Sequence, residues 1–197
     1  HILFDTEIDE LKKERMNLEQ KIIKSKLSFD KKFENFFYKI EDLDNTPETK
    51  WLISAVIPSS TIGVFYGGPG AGKSSVLLRY CQELLKNDDN TYFIYIDADM
   101  PKAKICELGI TNLLKEYGDR FRYAGKSSEN LSDVAQNLLK DVVLLQIEFP
   151  SRKYIVIEDS LTLITPRKNG FIDVEKLYKY ERKIRENDGT IIIVTLL

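Results

Sequence analysis

Apolar runs and segments with helical periodicity alternate along most of this chain. Four apolar runs rich in β-branched and aromatic residues are typical of strands covered on both faces, at 61–66, 92–96, 154–157 and 190–194. Helical patterns follow or precede them, at about 74–85, 131–147 and 174–187. Between the second and third runs lie a further helical stretch and a short strand at 120–123. This alternation predicts an α/β fold whose sheet is mostly parallel, with right-handed crossovers.

The first 44 residues carry a different pattern. Apolar residues of the segment 5–26 fall at near-heptad intervals among Glu and Lys, without Gly or Pro: Ile8, Leu11, Leu18 and Ile22. Ser28 is a candidate N-cap for a second helix that carries several phenylalanines on one side. We therefore expect a helical arm at 1–44 and a core at 45–197. An amphipathic stripe does not identify its partner, so packing on the arm's own domain and on a neighbouring subunit both stay open.

Composition narrows the class of protein. The 197 residues carry a formal net charge of −2, which gives no overall attraction to nucleic acid or to an anionic membrane. No apolar run approaches the roughly 18–20 residues of a membrane-spanning helix. Two cysteines without metal-type spacing favour a reducing, cytoplasmic setting, and a single histidine, His1, argues against histidine catalysis. Leu197 lies just past a strand that the sequence predicts to be buried, whereas domain termini usually lie at the surface. We therefore expect that the native chain continues or that segments of it are missing here.

One glycine-rich stretch, residues 67–74, joins the first core strand to the helix after it. It reads Gly-Gly-Pro-Gly-Ala-Gly-Lys-Ser and fits the pattern of a phosphate-binding loop. Glycines let successive backbone N–H groups turn toward phosphates, and the helix N-terminus adds its positive end. Lys73 can reach the β- and γ-phosphates of a nucleotide, and the Ser74 hydroxyl can ligate Mg²⁺. The candidate nucleotide-binding residues are Gly68, Pro69, Gly70, Ala71, Gly72, Lys73, Ser74 and Ser75.

Acidic residues follow two of the predicted strands. Asp97 and Asp99 come after the second long strand, and Glu158 and Asp159 come after the third. Because the carboxyl ends of parallel strands meet at one edge of a sheet, we expect these residues to lie near the phosphate loop. A carboxylate there can hold Mg²⁺ beside the Ser74 hydroxyl, directly or through water. Neighbouring strand residues face opposite ways, so only one of Glu158 and Asp159 should point at the metal.

The strand end Ile155-Val156-Ile157-Glu158-Asp159-Ser160, an apolar run that leads to Asp159-Ser160, resembles RecA-type ATPases together with residues 161–167 after it. A closer resemblance is to the hexameric, RepA-like replicative helicases of plasmids within the RecA/DnaB superfamily. Its motifs are Trp51-Leu52-Ile53, Ile57-Pro58, the phosphate loop, Asp97-Ala98-Asp99-Met100-Pro101 and Asp159-Ser160. They cover roughly residues 50–195. The resemblance implies a RecA-like P-loop fold with ATP and Mg²⁺ as cofactors. It also implies a homo-oligomer, a hexameric ring that places ATP between subunits.

The resemblance also implies roles for individual residues. Ser74 and Asp159 would hold Mg²⁺, and Lys73 would stabilise charge on the phosphates. The family activates the attacking water with a glutamate, and the matching position here is Asp99, whose side chain is one methylene shorter. A general base must come within hydrogen-bond reach of its water, so Asp99 and Glu158 are both candidates for this role. ATP binding with slow turnover is the remaining alternative.

The segment 165–170 resembles the first DNA-facing loop of RecA-type proteins. Its basic residues, Arg167 and Lys168, together with Lys153, could contact the phosphates of single-stranded DNA, and in a ring six copies would add up. A solvated turn is the alternative for each of them, because exposed lysine and arginine are common on all proteins.

These observations predict an ATP-binding and ATP-hydrolysing RecA-like domain of a replicative helicase-like protein that acts on DNA. Two other functions stay open. A RecA-like recombination or repair accessory ATPase would share every motif. A nucleotide-binding regulatory or scaffold protein with little turnover is favoured by Asp99 in place of glutamate and by the apolar Leu196-Leu197 after the fourth strand.

Overall fold

The chain divides into two compact units, residues 1–48 and 49–197. The computed structural model describes residues 2–34, 38–44, 46, 48–97, 100–125, 131–165, 167–168 and 171–195. Within these residues, no helix is long and apolar enough to cross a membrane.

The first unit is helical. Helix α1 (Ile2–Phe33) is followed by the single-turn helix α2 (Ile40–Leu43). The backbone N–H of Lys39 donates a hydrogen bond of 2.8 Å to Asp42 Oδ2, which caps α2. The expected helix boundary at Ser28 is wrong, because α1 continues through this residue. The segment has no Gly or Pro to end the helix, and serine inside a helix costs only a few tenths of a kcal/mol, roughly, relative to its neighbours.

The second unit alternates strands and helices as the pattern predicts. Its strands are β1 (Trp51–Ile53), β2 (Ile57–Pro58), β3 (Ile62–Tyr66), β4 (Thr91–Asp97), β5 (Phe121–Ala124), β6 (Lys153–Asp159), β7 (Arg167–Lys168), β8 (Phe171–Ile172) and β9 (Thr190–Thr195). Its helices are α3 (Lys73–Asn87), α4 (Lys102–Glu107), α5 (Ile110–Tyr117), α6 (Leu131–Glu148), α7 (Leu161–Ile164) and α8 (Glu175–Glu186). The antiparallel pairs β1–β2 and β7–β8 are additions that the apolar runs did not reveal.

Five strands form one parallel sheet in the order β3-β9-β6-β4-β5. Strand β9 lies between β3, which leads into the phosphate loop, and β6, which ends at Asp159. The register pairs Asp97 of β4 with Asp159 of β6, so the acidic strand ends are level with each other. All five strands point the same way, and their carboxyl ends therefore form the single edge at which the sequence predicts a site.

The sheet separates two apolar cores. One contains buried residues of α3 and α5 packed on Phe93, Tyr95, Ile155 and Ile157. The other contains buried residues of α6, α7 and α8 packed on the opposite face, which includes Ile94, Val156 and Ile193. Successive residues of β6 enter different cores, because side chains alternate across a strand. This alternation decides which side of the sheet each acidic residue reaches.

Arg120 fixes the carboxyl end of α3. Its guanidinium donates to the carbonyl oxygens of Leu85 at 2.7 Å and Asp88 at 3.0 Å, and its side chain is only 19% exposed. Since hydrogen bonds from a charged group are worth about 1.5–3 kcal/mol, we expect Arg120→Ala to lower the free energy of unfolding by about 2 kcal/mol. Urea denaturation measures this change.

The matched control for that variant is Arg122→Ala. Arg122 forms a 3.1 Å ion pair with Asp119, and both side chains are mostly exposed. Exposed pairs of this kind contribute about 0–1 kcal/mol, so this replacement should change the unfolding free energy by about 0.5 kcal/mol or less. Equal losses of unfolding free energy in the two variants would contradict the proposal that Arg120 stabilises the carboxyl end of α3.

Candidate nucleotide-binding site

The phosphate loop, residues 67–74, connects β3 to α3 as the sequence predicts. Gly70 and Gly72 have φ angles of 74° and 79°, in the left-handed region that glycine adopts without strain. A Cβ atom at either position would meet no atom within 4 Å, so the backbone angle, and not lack of space, requires glycine there. The turn brings the first N–H groups of α3 to the sheet edge, where they carry the positive end of the helix dipole.

The side chain of Lys73 folds over the phosphate loop. Its ammonium donates hydrogen bonds to the carbonyl oxygens of Gly67 at 2.8 Å and Gly68 at 3.0 Å. These contacts hold a positive charge, half-buried, above the concave side of the loop. A nucleotide phosphate in the loop would meet this ammonium directly.

The loop also carries Ser74 to Asp159, the acid that the sequence predicts for a metal site. Neighbouring strands lie about 4.8 Å apart, so the ends of β3 and β6, with β9 between them, are roughly 10 Å apart. The phosphate loop spans this gap, and Ser74 Oγ donates a hydrogen bond of 3.0 Å to Asp159 Oδ2. Residues 85 positions apart in sequence thereby form one polar centre.

The donor atoms of this centre fit Mg²⁺. This ion prefers oxygen ligands and is held in phosphate sites by one or two protein groups together with the phosphates. Ser74 and Asp159 supply a hydroxyl and a carboxylate. Among the described residues, no group of three or more His, Cys, Asp or Glu side chains could hold a metal by itself. A metal here would therefore rely on nucleotide phosphates for its remaining ligands.

Tyr95 is a member of the centre that the sequence analysis missed. It lies in the middle of β4 with 0% of its surface exposed, and its hydroxyl donates a 2.9 Å hydrogen bond to Asp159 Oδ2. Burial, and then the nearby carboxylate of Asp159, raise the pKa of Tyr95 above its usual value, so the phenol stays protonated. In the sequence this residue is one of several aromatics in an apolar run, and nothing local distinguishes it from a core residue.

Asp97, at the end of β4, is held by hydrogen bonds from Met100 and Tyr123. Its side chain is 2% exposed, its Oδ1 accepts the backbone N–H of Met100 at 3.1 Å, and its Oδ2 accepts the hydroxyl of Tyr123. The carboxylate therefore ties the end of β4 to Met100 and to β5. Asp99, the candidate base, lies outside the described residues.

Glu158 lies on the other face of the sheet. Its side chain is 0% exposed and faces Glu181 of α8, which is also buried. Burial, and then the neighbouring carboxyl of Glu181, raise the pKa of Glu158 well above its usual range, and burial raises that of Glu181. Among the described residues, no N–H or hydroxyl group donates to either carboxyl oxygen of Glu158, so nothing there compensates a negative charge on this carboxyl and burial favours its protonated form. The structure thus does not bring Glu158 to the phosphate loop, because strand alternation turns it away from Asp159.

Glu181 itself could have been found from spacing. It lies four residues after Leu177 and three before Ile184, which places all three on the buried stripe of α8. A carboxyl at a stripe position is a sign of a buried polar pair.

The basic residues of the expected DNA-facing loop do not lie together. Arg167 and Lys168 belong to β7, which pairs with β8 after β6. Lys153 begins β6, at the opposite end of that strand, and pairs with Asp88 Oδ2 at 2.7 Å. Six residue steps of strand separate it from Asp159 by about 20 Å, so Lys153 belongs to a different surface.

Comparison with solved structures agrees with this fold. No protein-family model and no curated protein sequence matches the chain. The ATP synthase subunit NeqB from Nanoarchaeum equitans is similar with a TM-score of 0.52 at 15% identity, over 71% of this chain and 41% of that one. A second solved structure, an ATPase domain, has a TM-score of 0.47 at 12% identity, over 70% of this chain and 57% of that one. This chain thus spans less than two thirds of the length of either. The likeness to NeqB is one of fold, an α/β arrangement with a parallel sheet flanked by helices.

Proposed function

We propose that the second unit binds ATP with Mg²⁺ and hydrolyses it, as the RecA-like domain of a replicative helicase-like protein that acts on DNA. The observation that supports this best is the 3.0 Å hydrogen bond between Ser74 Oγ and Asp159 Oδ2. It joins the two groups that an ATP-hydrolysing P-loop protein needs around its metal, at the mouth of a glycine-rich loop and a helix N-terminus.

In the proposed reaction, water attacks the γ-phosphorus in line with the bond to the leaving ADP oxygen. The amides of residues 68–75 and the ammonium of Lys73 would stabilise the negative charge on the phosphoryl oxygens. Ser74 and Asp159 would hold Mg²⁺, which supplies further charge neutralisation when bound. The protein's task is positioning and electrostatic stabilisation, since the nucleophile is water.

Asp99 is our proposed base. Asp97 already accepts two hydrogen bonds, and Glu158 is buried on the other face of the sheet, so neither is placed to receive a proton from water at the phosphate loop. Of the acids at or after the ends of β4 and β6, Asp99 remains our candidate for this role, with Asp159 as the proposed metal ligand.

The experiment that tests the proposal is steady-state ATP hydrolysis with Mg²⁺, with and without single-stranded DNA, for the wild type and Asp99→Asn. A positioned base contributes about 100-fold or more, and a short aspartate less, so we expect turnover to fall by at least about tenfold in the variant. We expect DNA to raise the wild-type rate. Tight ATP binding with negligible turnover that DNA does not change would instead support a regulatory or scaffold protein.

DNA binding and ring assembly belong to the same proposal. The β7–β8 pair carries Arg167 and Lys168 in its first strand, and six copies in a ring would add their charges around a single strand of DNA. The helical first unit is our candidate for an assembly element. Deletion of residues 1–44 should therefore lower the oligomer mass measured by light scattering, whereas an unchanged mass would remove this role.

A further inference from the structure

The hydroxyl of Tyr95 meets the same oxygen atom as the phosphate-loop serine. Tyr95 OH lies 2.9 Å and Ser74 Oγ 3.0 Å from Asp159 Oδ2. The two donors belong to different elements, Tyr95 to β4 and Ser74 to the start of α3. A carboxylate held by two donors on one oxygen cannot rotate without breaking both contacts.

The two donors differ in what they can do when a metal binds. Ser74 would direct its oxygen toward Mg²⁺, so its contact with Asp159 must adapt to the metal. Tyr95 is fully buried in the core between β4 and α3, and its ring cannot follow such a change. The phenol is therefore the fixed member of the pair, and it holds the direction of the Asp159 carboxylate when Ser74 moves.

We propose that Tyr95 is a positioning residue that sets the affinity of the site for Mg²⁺. This inference rests on the proposed function, because it assumes that Asp159 serves a nucleotide-bound metal. Tyr95 itself would contact neither the nucleotide nor the metal. It acts through Asp159, by holding the carboxylate in the orientation that the metal requires before the metal arrives.

A second tyrosine provides the matched comparison. Tyr123 of β5 lies on the same face of the sheet, with its ring centre 5.4 Å from that of Tyr95. Its hydroxyl donates to Asp97 and lies 3.8 Å from Met100 Sδ, so it contacts the end of β4 and Met100. The two tyrosines thus share a neighbourhood and a chemistry but hold different carboxylates.

The experiment measures the Mg²⁺ concentration that gives half-maximal binding of a fluorescent ATP analogue to the full chain. A hydrogen bond to a charged group corresponds to about tenfold or more in an equilibrium constant. We expect Tyr95→Phe to raise the half-saturating Mg²⁺ concentration about tenfold and to leave analogue binding without Mg²⁺ within about twofold of wild type. Tyr123→Phe should leave the Mg²⁺ requirement within about twofold of wild type, and thermal unfolding of both variants controls for their fold.

Three results would overturn the inference. An unchanged Mg²⁺ requirement in Tyr95→Phe, with Mg²⁺-dependent binding in the wild type, would remove the role of Tyr95 and leave the proposed function standing. Equal shifts in Tyr95→Phe and Tyr123→Phe would point to general loosening of this sheet edge. A wild-type protein that binds no nucleotide at any Mg²⁺ concentration would instead remove the proposed function, and the inference with it.

Discussion

Replacement of Lys73 by alanine is expected to weaken the binding of ATP with Mg²⁺ by about 100-fold or more. The ammonium is held over the phosphate loop by the carbonyls of Gly67 and Gly68, where a phosphate would lie within a few ångströms. Two unit charges 4 Å apart at a protein surface interact with about 4 kcal/mol, which corresponds to several hundredfold in affinity. Equilibrium titration of a fluorescent ATP analogue measures the loss.

The control for this variant lies on the same helix. Lys86, in the last turn of α3, is exposed and remote from the phosphate loop, so Lys86→Ala removes the same charge from the protein without touching the site. We expect its affinity to stay within about twofold of wild type, since exposed charges are screened over about 10 Å. Similar affinities in Lys73→Ala and wild type would contradict the assignment of residues 67–74 as the nucleotide site.

The buried carboxyl pair is expected to make the protein less stable as the pH rises. Glu158 and Glu181 have pKa values above the usual range, so the folded protein binds protons on these two carboxyls more tightly than the unfolded chain does. Above about pH 4.5 the unfolded chain has released its protons while the folded pair still holds one or more, so the free energy of unfolding falls with rising pH. The loss continues until the folded pair also titrates.

The size of this effect follows from the linkage between pKa and stability. Each unit by which burial raises a pKa corresponds to about 1.4 kcal/mol. The pKa values of Glu158 and Glu181, about 8 and about 7, lie several units above the ordinary glutamate value, so the total loss is on the order of 5 kcal/mol or more between about pH 5 and pH 9. Urea denaturation at a series of pH values measures it. The double variant Glu158→Gln/Glu181→Gln keeps the shape of the pair and removes its titration, so its stability should be nearly flat over this range.

An exposed glutamate on α8 gives the comparison for the pair. Glu175→Gln removes a carboxyl from the same helix at its solvent side, and the steep loss of stability should remain in that variant. If the double variant kept the full pH dependence of the wild type, the loss would have to come from other groups, and titration of Glu158 and Glu181 would be excluded as its cause.

The strands and helices of the core followed from local pattern. The four apolar runs became β3, β4, β6 and β9, and the predicted parallel α/β arrangement is confirmed. The strand order did not follow, because the pairing of β9 with both β3 and β6 joins residues more than 30 positions apart and leaves no local trace. The helix boundary expected at Ser28 was wrong because serine is a common N-cap but does not by itself end a helix. The residues on both sides of Ser28 favour a helix, and α1 continues through it.

At the site, the sequence could identify residues whose chemistry is local to a motif. The phosphate loop and Asp159 belong to patterns that can be read along the chain, and the structure brings Ser74 and Asp159 together. The position of Glu158 depended on strand alternation, which allowed either acid to face the metal until the register was known. Tyr95 could not be identified, because its importance comes from one hydrogen bond between two strands.

The strand order also has a consequence for how the protein is made. The phosphate loop follows β3, whose only partner in the described sheet is β9. Strand β9 is formed by residues 190–195, so it is synthesised long after the phosphate loop. Pairing across such a separation is slow, because the entropy cost of closing a long loop comes before any stabilising contact forms. During synthesis, β4, β5 and β6 can pair with one another before β9 is made, but β3 cannot join the sheet. We therefore expect the phosphate loop to adopt its folded position only after β9 has left the ribosome. Nucleotide binding by a nascent chain would therefore report the completion of the sheet.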